Sequence, residues 1–575
     1  MAYERRTPCI MPQAFLRAFE HERVWLKSED LPNYGEYYVD VGYLRKLDNN
    51  ENHLVSGRRG TGKTHLLGSF HEYVNGEKKD ELSVMISLID VSTQYSYIAG
   101  SNPFDRKTLA KRAAVDLFNQ FLRIFFDRFL DELQRFIAKI SDPDKKRLIN
   151  NLLQELLSKV ELGAGHGDNS NDVAHALQNG LNYVQGKSQP LEVVASDGVR
   201  KEASEWGNNE FADYQAIRIL VSRILELANV KILHLLIDEW MELDKNTPSM
   251  IQNYFSQLLK KCFFNSKQIS VVIASIWNQT SLYEREDMSM SSGIQPGHDI
   301  SHSVDLDTSL FDSEHQIFDF CKALIFQRLA KKDDAIKAFK LSDGSIDEAF
   351  ITDLFDRIEN FRVFVTASHG IPRDLMRIFQ KSVRKINSDF GSHCIDYELV
   401  MEVSREIYRQ EKREYVGPNT TIKPMWSKIN RYMEEHDNRV FLIREGSQKT
   451  SRSFRALIDH ELIHELPAPT LPRWVRRMHR AYCIDYGNYV DWKRAKSTTA
   501  EDLIAEFILP DWTMFSEDDL HSLVIDVEAD IDIYVTHACG NIARRDHPVV
   551  KNYNLCPHCG DGLEGASDIN IHLGK

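Results

Sequence analysis

The feature that most constrains the fold of this chain is residues 57–64, which read Gly-Arg-Arg-Gly-Thr-Gly-Lys-Thr. They match the pattern G-x-x-x-x-G-K-[ST] at every fixed position. Glycines let such a loop turn its backbone N–H groups inward toward an anion, and the following helix offers its positive N-terminus to the same anion. An apolar run precedes the loop and a helical pattern follows it. The sequence therefore predicts a phosphate-binding loop between a strand and a helix.

The side chains of this loop have distinct predicted roles. Lys63 is expected to reach the β- and γ-phosphates of ATP, and the hydroxyl of Thr64 is expected to bind Mg²⁺. The other phosphate contacts are expected from the backbone of Gly57, Gly60, Thr61 and Gly62.

A second motif lies at residues 235–239, which read Leu-Leu-Ile-Asp-Glu. An apolar strand that ends in two carboxylates places them at the carboxyl edge of a parallel sheet, where α/β proteins bind ligands. Asp238 is expected to hold Mg²⁺, directly or through water, and Glu239 to orient and activate the attacking water. The alternative is a buried strand followed by an exposed acidic turn, which the nearby phosphate-binding motif disfavours.

Strand and helix patterns alternate along the first half of the chain, which predicts an α/β fold with a doubly wound parallel sheet. Between the two motifs, apolar residues recur at helical spacing from about residue 106 to 160, and Pro143 divides this stretch into two long helices. A polar, glycine-rich stretch follows at 163–209. We interpret residues 103–212 as an insertion into the core and as a candidate for specificity or partner contacts.

Two further motifs complete a known pattern. A strand at 271–276 is followed by Asn278, and Gly370-Ile371-Pro372-Arg373 opens a later helix. The order of the four motifs resembles that of AAA+ ATPases, and among them the origin-recognition and replication-initiator branch, over about residues 34–496. The resemblance implies that Asn278 is the sensor 1 residue and Arg373 the sensor 2 arginine, both touching the γ-phosphate region. A turn residue and a solvated helix-start arginine are the respective alternatives.

The resemblance also implies an order of domains. A P-loop AAA+ core at 1–312 would be followed by a helical lid at 313–412 and a winged-helix-like domain at 413–500. The same architecture is similar to that of bacterial ATPases that serve mobile elements or anti-phage defence. This branch uses an arginine finger from a neighbouring subunit, and Arg285 is the candidate because it is the only arginine between residues 281 and 310.

Cysteines cluster near the end of the chain, within residues 501–575, in a small C-terminal module. Cys539, Cys556 and Cys559 offer three thiolates, and His537 is our choice for the fourth ligand of a tetrahedral, structural Zn²⁺. The alternative is a set of reduced cysteines without metal. A redox pair is disfavoured because no thioredoxin-like βαβ pattern surrounds Cys556 and Cys559. The competing fourth ligands are His547, His558 and His572.

A basic stretch at residues 439–497 contains 12 Lys/Arg against 6 Asp/Glu. The chain as a whole has a formal net charge of −14, which argues against a general polyanion binder and makes this stretch a local one. In a winged helix such residues face duplex DNA, with residues 451–462 as the recognition helix. The alternative is a solvated basic face that docks an acidic protein or the chain's own acidic core.

These observations favour an ATP-hydrolysing AAA+ switch that acts on DNA. The competing function is an ATPase or slow nucleotide switch in a bacterial anti-phage defence or signalling assembly, which would bind a partner protein. A nucleotide-binding scaffold with little turnover is a third possibility. A homo-oligomer is compatible with each of them. We expect a cytoplasmic protein, because the sequence shows neither a signal peptide nor an apolar run long enough to cross a bilayer.

Overall fold

The computed structural model describes most of the chain. The described residues are 12–19, 33–91, 103–162, 213–243, 248–264, 266–276, 279–286, 290–306, 314–388, 394–416, 422–444, 451–466, 472–495, 516–525, 533–536, 542–544 and 567–570. No helix among these residues is long and apolar enough to span a membrane.

The described part of the chain up to residue 306 contains seven strands, which form a five-stranded sheet and a separate hairpin. They are β1 (His53–Ser56), β2 (Glu81–Ser87), β3 (Ile232–Asp238), β4 (Ile269–Ser275), β5 (Tyr283–Glu286), β6 (Met290–Gly293) and β7 (His302–Asp305). Five of them pair in the order β2-β3-β4-β1-β7, and every pair is parallel. All residues of β1, β3 and β4 are buried, as expected of strands covered on both faces. The predicted α/β fold with a parallel sheet is confirmed.

One part of the core departs from what its composition predicts. The polar residues 288–302 have the composition of a loop, whereas β5 and β6 form an antiparallel hairpin in which Tyr283 lies opposite Gly293. Gly293 has a φ of 106°, and a Cβ there would lie 2.3 Å from the carbonyl oxygen of Leu282. The close approach of the two strands therefore depends on a glycine that the sequence pattern did not distinguish from a loop glycine.

The helices of this part of the chain are α1 (Gln13–Phe19), α2 (Tyr34–Tyr37), α3 (Tyr43–Leu47), α4 (Lys63–Glu77), α5 (Pro103–Ile137), α6 (Pro143–Leu162), α7 (Tyr214–Leu227) and α8 (Pro248–Leu259). Both faces of the sheet are covered by helices from this set, whereas α1 packs among later helices. Helix α4 buries Leu66, Leu67 and Phe70 against one face. Helices α5, α7 and α8 bury a second apolar cluster on the opposite face.

The insertion begins as the sequence predicts, with two long helices, α5 and α6, on either side of residues 138–142. The phenylalanines of α5 pack into the core itself, since Phe118 and Phe121 contact the ring of Phe255 in α8. Helix α5 is therefore part of one covering layer of the sheet. The remainder of the predicted insertion, residues 163–212, lies outside the described residues.

The segment 314–412, which we call the lid, is helical in its described part. Its helices are α9 (Glu314–Ala330), α10 (Asp334–Lys337), α11 (Ala349–Phe355), α12 (Ile358–Ala367), α13 (Pro372–Ser388) and α14 (Tyr397–Ile407), and a π-turn at Tyr408–Lys412 follows. Phenylalanines 350, 355, 361, 364 and 379 fill its centre. Helix α1 joins this cluster through Phe15, which is fully buried.

The third domain, residues 413–500, contains a small sheet and four helices. Its elements are α15 (Lys423–His436), β8 (Val440–Arg444), α16 (Arg452–Asp459), β9 (Ile463–Leu466), α17 (Arg473–Met478), β10 (His479–Ile484) and α18 (Tyr486–Ala495). Strand β10 pairs antiparallel with both β8 and β9. The tyrosine-rich residues from about Tyr482 to Trp492 have the composition of a strand, but β10 ends at Ile484 and α18 begins at Tyr486. Tyr486 and Tyr489 bury their rings one helical turn apart.

The lid and the third domain share one continuous apolar core. Helices α14 and α18 approach each other so closely that a Cβ on Gly487 would lie 2.3 Å from the carbonyl oxygen of Ser404. A larger side chain at that position would push the two helices apart. We therefore treat lid and third domain as one packed body that faces the nucleotide-binding core.

After this body come α19 (Glu517–Ser522), β11 (Val524–Ile525), β12 (Ile533–Thr536), β13 (Ile542–Arg544) and β14 (Ser567–Asn570). Strand β11 adds to the third domain's sheet beside β8, and β12 pairs antiparallel with both β13 and β14. The predicted zinc ligands lie outside the described residues: they are His537, Cys539, Cys556 and Cys559.

Candidate nucleotide site

The loop between β1 and α4 has the backbone that its glycines predict. Gly60 and Gly62 have φ angles of 85° and 96°, in the left-handed region that glycine tolerates best. The Thr61 hydroxyl donates to the carbonyl oxygen of Arg58 at 2.9 Å, and a Cβ on Gly57 would lie 2.6 Å from that hydroxyl. The loop is thus a tight turn that larger residues at these glycines would disrupt.

Lys63 is the first residue of α4, and its ammonium group lies within the loop. It donates to the carbonyl oxygens of Gly57 at 2.9 Å and Arg58 at 2.8 Å. The side chain is buried, and the next residue, Thr64, is half-buried in the first turn of the helix. A positive charge and the positive end of a helix therefore lie together where an anion would bind.

Asp238 and Glu239 lie at the carboxyl end of β3, as predicted. Asp238 is buried, and its Oδ1 accepts the backbone N–H of Glu239 at 2.9 Å. Glu239 has a φ of 57°, in the left-handed region that is uncommon for a residue with a side chain.

Electrostatics connect this strand end to the loop. Burial, and then the charge of Asp238, raise the pKa of Glu239, whereas the positive charges of Lys63 and Arg59 lower it. The net effect is a raised pKa of Glu239, although the charge of Lys63 in the loop still acts on its carboxylate. The two motifs, far apart in sequence, therefore form one site with carboxylates facing a cationic loop.

Arg373 lies over the same loop from the lid. Its backbone N–H, one of those left open at the start of α13, donates to the carbonyl oxygen of Gly60 at 3.3 Å. A Cβ on Gly60 would lie 2.8 Å from the Cβ of Arg373, so the absence of a side chain at Gly60 allows this approach. The Arg373 guanidinium forms an ion pair with Glu461 of the third domain, and its Nε lies 3.7 Å from Oδ1 of Asp374.

Asn278 and the side chain of Arg285 lie outside what the structure describes, so both assignments stay predictions. The adjacent residue, Gln279, is described, and sequence reasoning missed it. Its side-chain amide donates to Oδ1 of Asp459, at the end of α16. Its carbonyl oxygen accepts the side-chain amide of Gln252 at 3.1 Å. The sequence holds no signal for the contact with Asp459, because the two residues are 180 positions apart.

A buried polar cluster joins lid and third domain beside the site. The rings of His369 and His464 stack with centroids 3.9 Å apart, and the ammonium of Lys412 lies 2.5 Å from Oδ2 of Asp485. Burial holds the pKa of both histidines well below its usual range, so they are neutral. One potential ligand atom from each of His369, His464 and Asp485 lies within 4.8 Å of the others, but Lys412 already neutralises the Asp485 carboxylate.

The parallel sheet, the glycine loop at the end of β1 and Arg373 above it form an α/β core that carries a phosphate-binding-loop motif. Three solved structures illustrate the likeness. The ORC2 protein of Aeropyrum pernix, in ADPNP–ADP complexes, has 10% identity and a TM-score of 0.35, with 84% of this chain and 96% of that chain covered. The ORC1 protein of Aeropyrum pernix in complex with DNA has 12% identity and a TM-score of 0.31, with coverages of 81% and 96%. Cdc6p from Pyrobaculum aerophilum has 13% identity and a TM-score of 0.30, with coverages of 86% and 98%.

No protein-family model and no curated protein matches the sequence. At these identities and TM-scores, the solved structures support no transfer of function to this chain. The functional argument therefore depends on the geometry of the site itself.

Proposed function

We propose that the protein is an ATP-binding and ATP-hydrolysing switch of the AAA+ type. The observation that carries this proposal is that three segments distant in sequence meet at the phosphate-binding loop. Lys63 lies within the loop, and its charge lowers the pKa of Glu239. The backbone of Arg373 contacts the loop at Gly60. A cationic loop, a carboxylate pair and an arginine on a separate body are the groups that phosphoryl transfer requires.

Each residue has a role that its position supports. Thr64 and Asp238 would hold Mg²⁺ through oxygen ligands, which this ion prefers. Lys63 would neutralise the phosphates, and Glu239 would orient and deprotonate the attacking water. Arg373 would detect the γ-phosphate from the lid, with Asn278 beside the same group. Steady-state phosphate release from ATP, with Mg²⁺ and with EDTA, tests the activity.

We propose further that the third domain contacts duplex DNA through residues 439–497. Three exposed arginines support this: Arg444 at the end of β8, Arg477 in α17 and Arg480 in β10. Arg444 lies opposite His479 in the antiparallel pair, next to Arg480. These cations therefore share one end of the sheet, where they would meet a phosphate backbone.

Other basic residues of the same stretch are used inside the protein, which favours the alternative of a partner-protein surface. Arg439 is buried, with its guanidinium 5.5 Å from the ring centroid of Tyr486, and Lys493 pairs with Asp437 at 2.6 Å. The exposed positive charge is smaller than the sequence count suggests. In this alternative, the nucleotide site controls a signalling or anti-phage assembly.

A gel shift on duplex DNA at increasing salt separates the two functions. Phosphate contacts release counterions, so the logarithm of DNA affinity should fall steeply and linearly with the logarithm of salt concentration. A protein partner without nucleic acid should instead copurify with the chain, and no shift should occur at physiological salt.

We also propose that the C-terminal module binds a structural Zn²⁺ and that copies of the protein assemble into an oligomer. His537 and Cys539 fall in the connection between β12 and β13, and Cys556 and Cys559 fall between β13 and β14. Such connections of a small antiparallel sheet are where zinc ribbons carry their ligands, which supports a structural Zn²⁺. Arg285 would act as an arginine finger toward a neighbouring copy if the protein assembles.

A further inference from the structure

The turn that follows α16 in the third domain lies against the nucleotide site. It comprises Asp459, His460 and Glu461. Asp459 accepts the side-chain amide of Gln279 from the core, and Glu461 forms an ion pair with Arg373 of the lid. Arg59 of the phosphate-binding loop is also near, since its charge lowers the pKa of Asp459 against the larger, opposite effect of burial. The carboxylate of Glu461 thus binds the guanidinium that is proposed to meet a terminal phosphate, and the carboxylate of Asp459 ties the turn to the core.

The backbone of this turn is unusual for a glutamate. The N–H of Leu462 donates to the carbonyl oxygen of Leu457, and that of Glu461 donates to the carbonyl oxygen of Ile458. This is the Schellman arrangement that ends many helices, and its left-handed residue is usually glycine. Here Glu461 holds that position, with a φ of 58°. Glycine would fit this backbone better, and the glutamate side chain at this position instead forms the ion pair with Arg373.

The carboxylate of Glu461 and the γ-phosphate of ATP would both bind the guanidinium of Arg373. Arg373 is 40% exposed in its side chain and Glu461 is 17% exposed, so the pair is open on one side to an incoming anion. A phosphate offers more charge and more acceptor oxygens than a carboxylate, and arginine binds either through the same N–H groups. ADP has no γ-phosphate and cannot compete for Arg373.

We propose that Glu461 sets the discrimination between ATP and ADP by competing with the γ-phosphate for Arg373, and that Asp459 holds the turn in position through Gln279. ATP must break the Arg373–Glu461 pair to engage the lid, so part of its binding free energy is used in freeing the turn. ADP leaves the pair intact. The third domain, which carries the turn and the exposed arginines, thereby responds to the third phosphate alone. This inference rests on the proposed nucleotide site.

The test compares the affinity for ADP with that for AMP-PNP, a non-hydrolysable analogue that keeps a γ-phosphate. In Glu461→Gln and Glu461→Gly, the AMP-PNP dissociation constant should fall about fivefold, the scale of a partly exposed ion pair. The ADP dissociation constant should not change. With Arg373→Ala in the background, Glu461→Gln should have no effect on AMP-PNP, because the contested guanidinium is gone.

Folding is controlled within the same series. Glycine suits the left-handed position, so Glu461→Gly should melt no lower than wild type. The matched control is Asp356→Gly, which relieves another left-handed residue, φ 65°, in the lid and should leave both affinities unchanged. If wild type binds both nucleotides and the Glu461 variants shift neither, or shift both equally, the competition is refuted and the site stands. If wild type binds neither nucleotide, the proposed site fails as well.

Discussion

The backbone N–H of Arg373 donates to the carbonyl oxygen of Gly60, 3.3 Å away, and so joins the lid to the phosphate-binding loop. One residue belongs to the body formed by the lid and third domain, and the other to the core. A nucleotide held by the loop would therefore lie at the junction of the two bodies. The presence or absence of a terminal phosphate can alter the conformation of the third domain only if it changes the contacts of residues at this junction.

Lys63→Ala should weaken ATP binding by about 10- to 100-fold or more, because it removes a charge-assisted contact with the phosphates. Lys78→Ala is the matched control, since Lys78 lies at the other end of α4 and pairs with Asp48 at 2.8 Å. Isothermal titration with ATP and Mg²⁺ measures both. Full affinity in the Lys63 variant would place the nucleotide elsewhere.

Glu239→Gln should keep ATP binding and lower turnover by about 10²- to 10⁴-fold, since an amide cannot serve as a general base. Burial and Asp238 raise the pKa of Glu239, and a base works only when deprotonated. Wild-type kcat/KM should therefore fall as the pH drops, with a midpoint above that of an exposed glutamate. Glu242→Gln, three residues further, should retain turnover. Unchanged hydrolysis in Glu239→Gln would move the base to another residue.

The DNA-binding proposal predicts an effect on salt dependence. Replacing Arg444, Arg477 and Arg480 together by alanine should weaken duplex binding for all sequences, and should reduce the slope of log affinity against log salt by about one unit per lost phosphate contact. The control is a triple alanine variant of three exposed arginines in the core and lid, Arg45, Arg223 and Arg384. Equal slopes in wild type and the first variant would favour the partner-protein alternative.

The zinc proposal predicts one Zn²⁺ per chain in protein purified without chelator. Cys556→Ser should release the metal and unfold only the C-terminal module, because such modules fold around their ion. Cys9→Ser, outside the cysteine cluster, should keep it. Elemental analysis together with limited proteolysis gives both readouts. A folded, metal-free wild type would contradict the proposal.

The sequence predicted what depends on local pattern. The loop glycines, the buried strand before Asp238 and the proline that opens α13 each determine their own backbone, so their elements could be inferred directly. The family resemblance predicted that Arg373 touches the γ-phosphate, and this role stays a prediction, while the structure places the Arg373 backbone beside Gly60. Each of these features depends on residue types in a pattern that few other backbone structures would explain.

Other features depend on contacts between distant segments. The tyrosine-rich sequence around Tyr486 favours a strand. Tyr486 nevertheless lies in a helix, because its ring packs into the apolar core that the lid and the third domain share. Glu461 carries no sequence motif, and its partner Arg373 is 88 positions away. Only the folded chain brings a strained helix end to the nucleotide site.

Arg373→Ala tests the central claim, which is that the lid binds the γ-phosphate of a nucleotide held by the core. Losing a charge-assisted contact costs about 1.5–3 kcal/mol, or roughly 10- to 100-fold in affinity. The variant should bind ADP nearly as wild type does and bind ATP more weakly by that factor. Arg362→Ala, an arginine of α12 whose guanidinium lies 5.9 Å from the ring of Phe318, is the control and should leave both affinities unchanged.

The most direct measurement is the ratio of the ADP to the AMP-PNP dissociation constant, determined by titration for wild type and Arg373→Ala under one condition. The proposed mechanism predicts that the ratio falls by about 10- to 100-fold in the variant, with the change confined to AMP-PNP. A variant that distinguishes the two nucleotides as well as wild type does would contradict it, and would make Arg373 only the arginine that begins a lid helix.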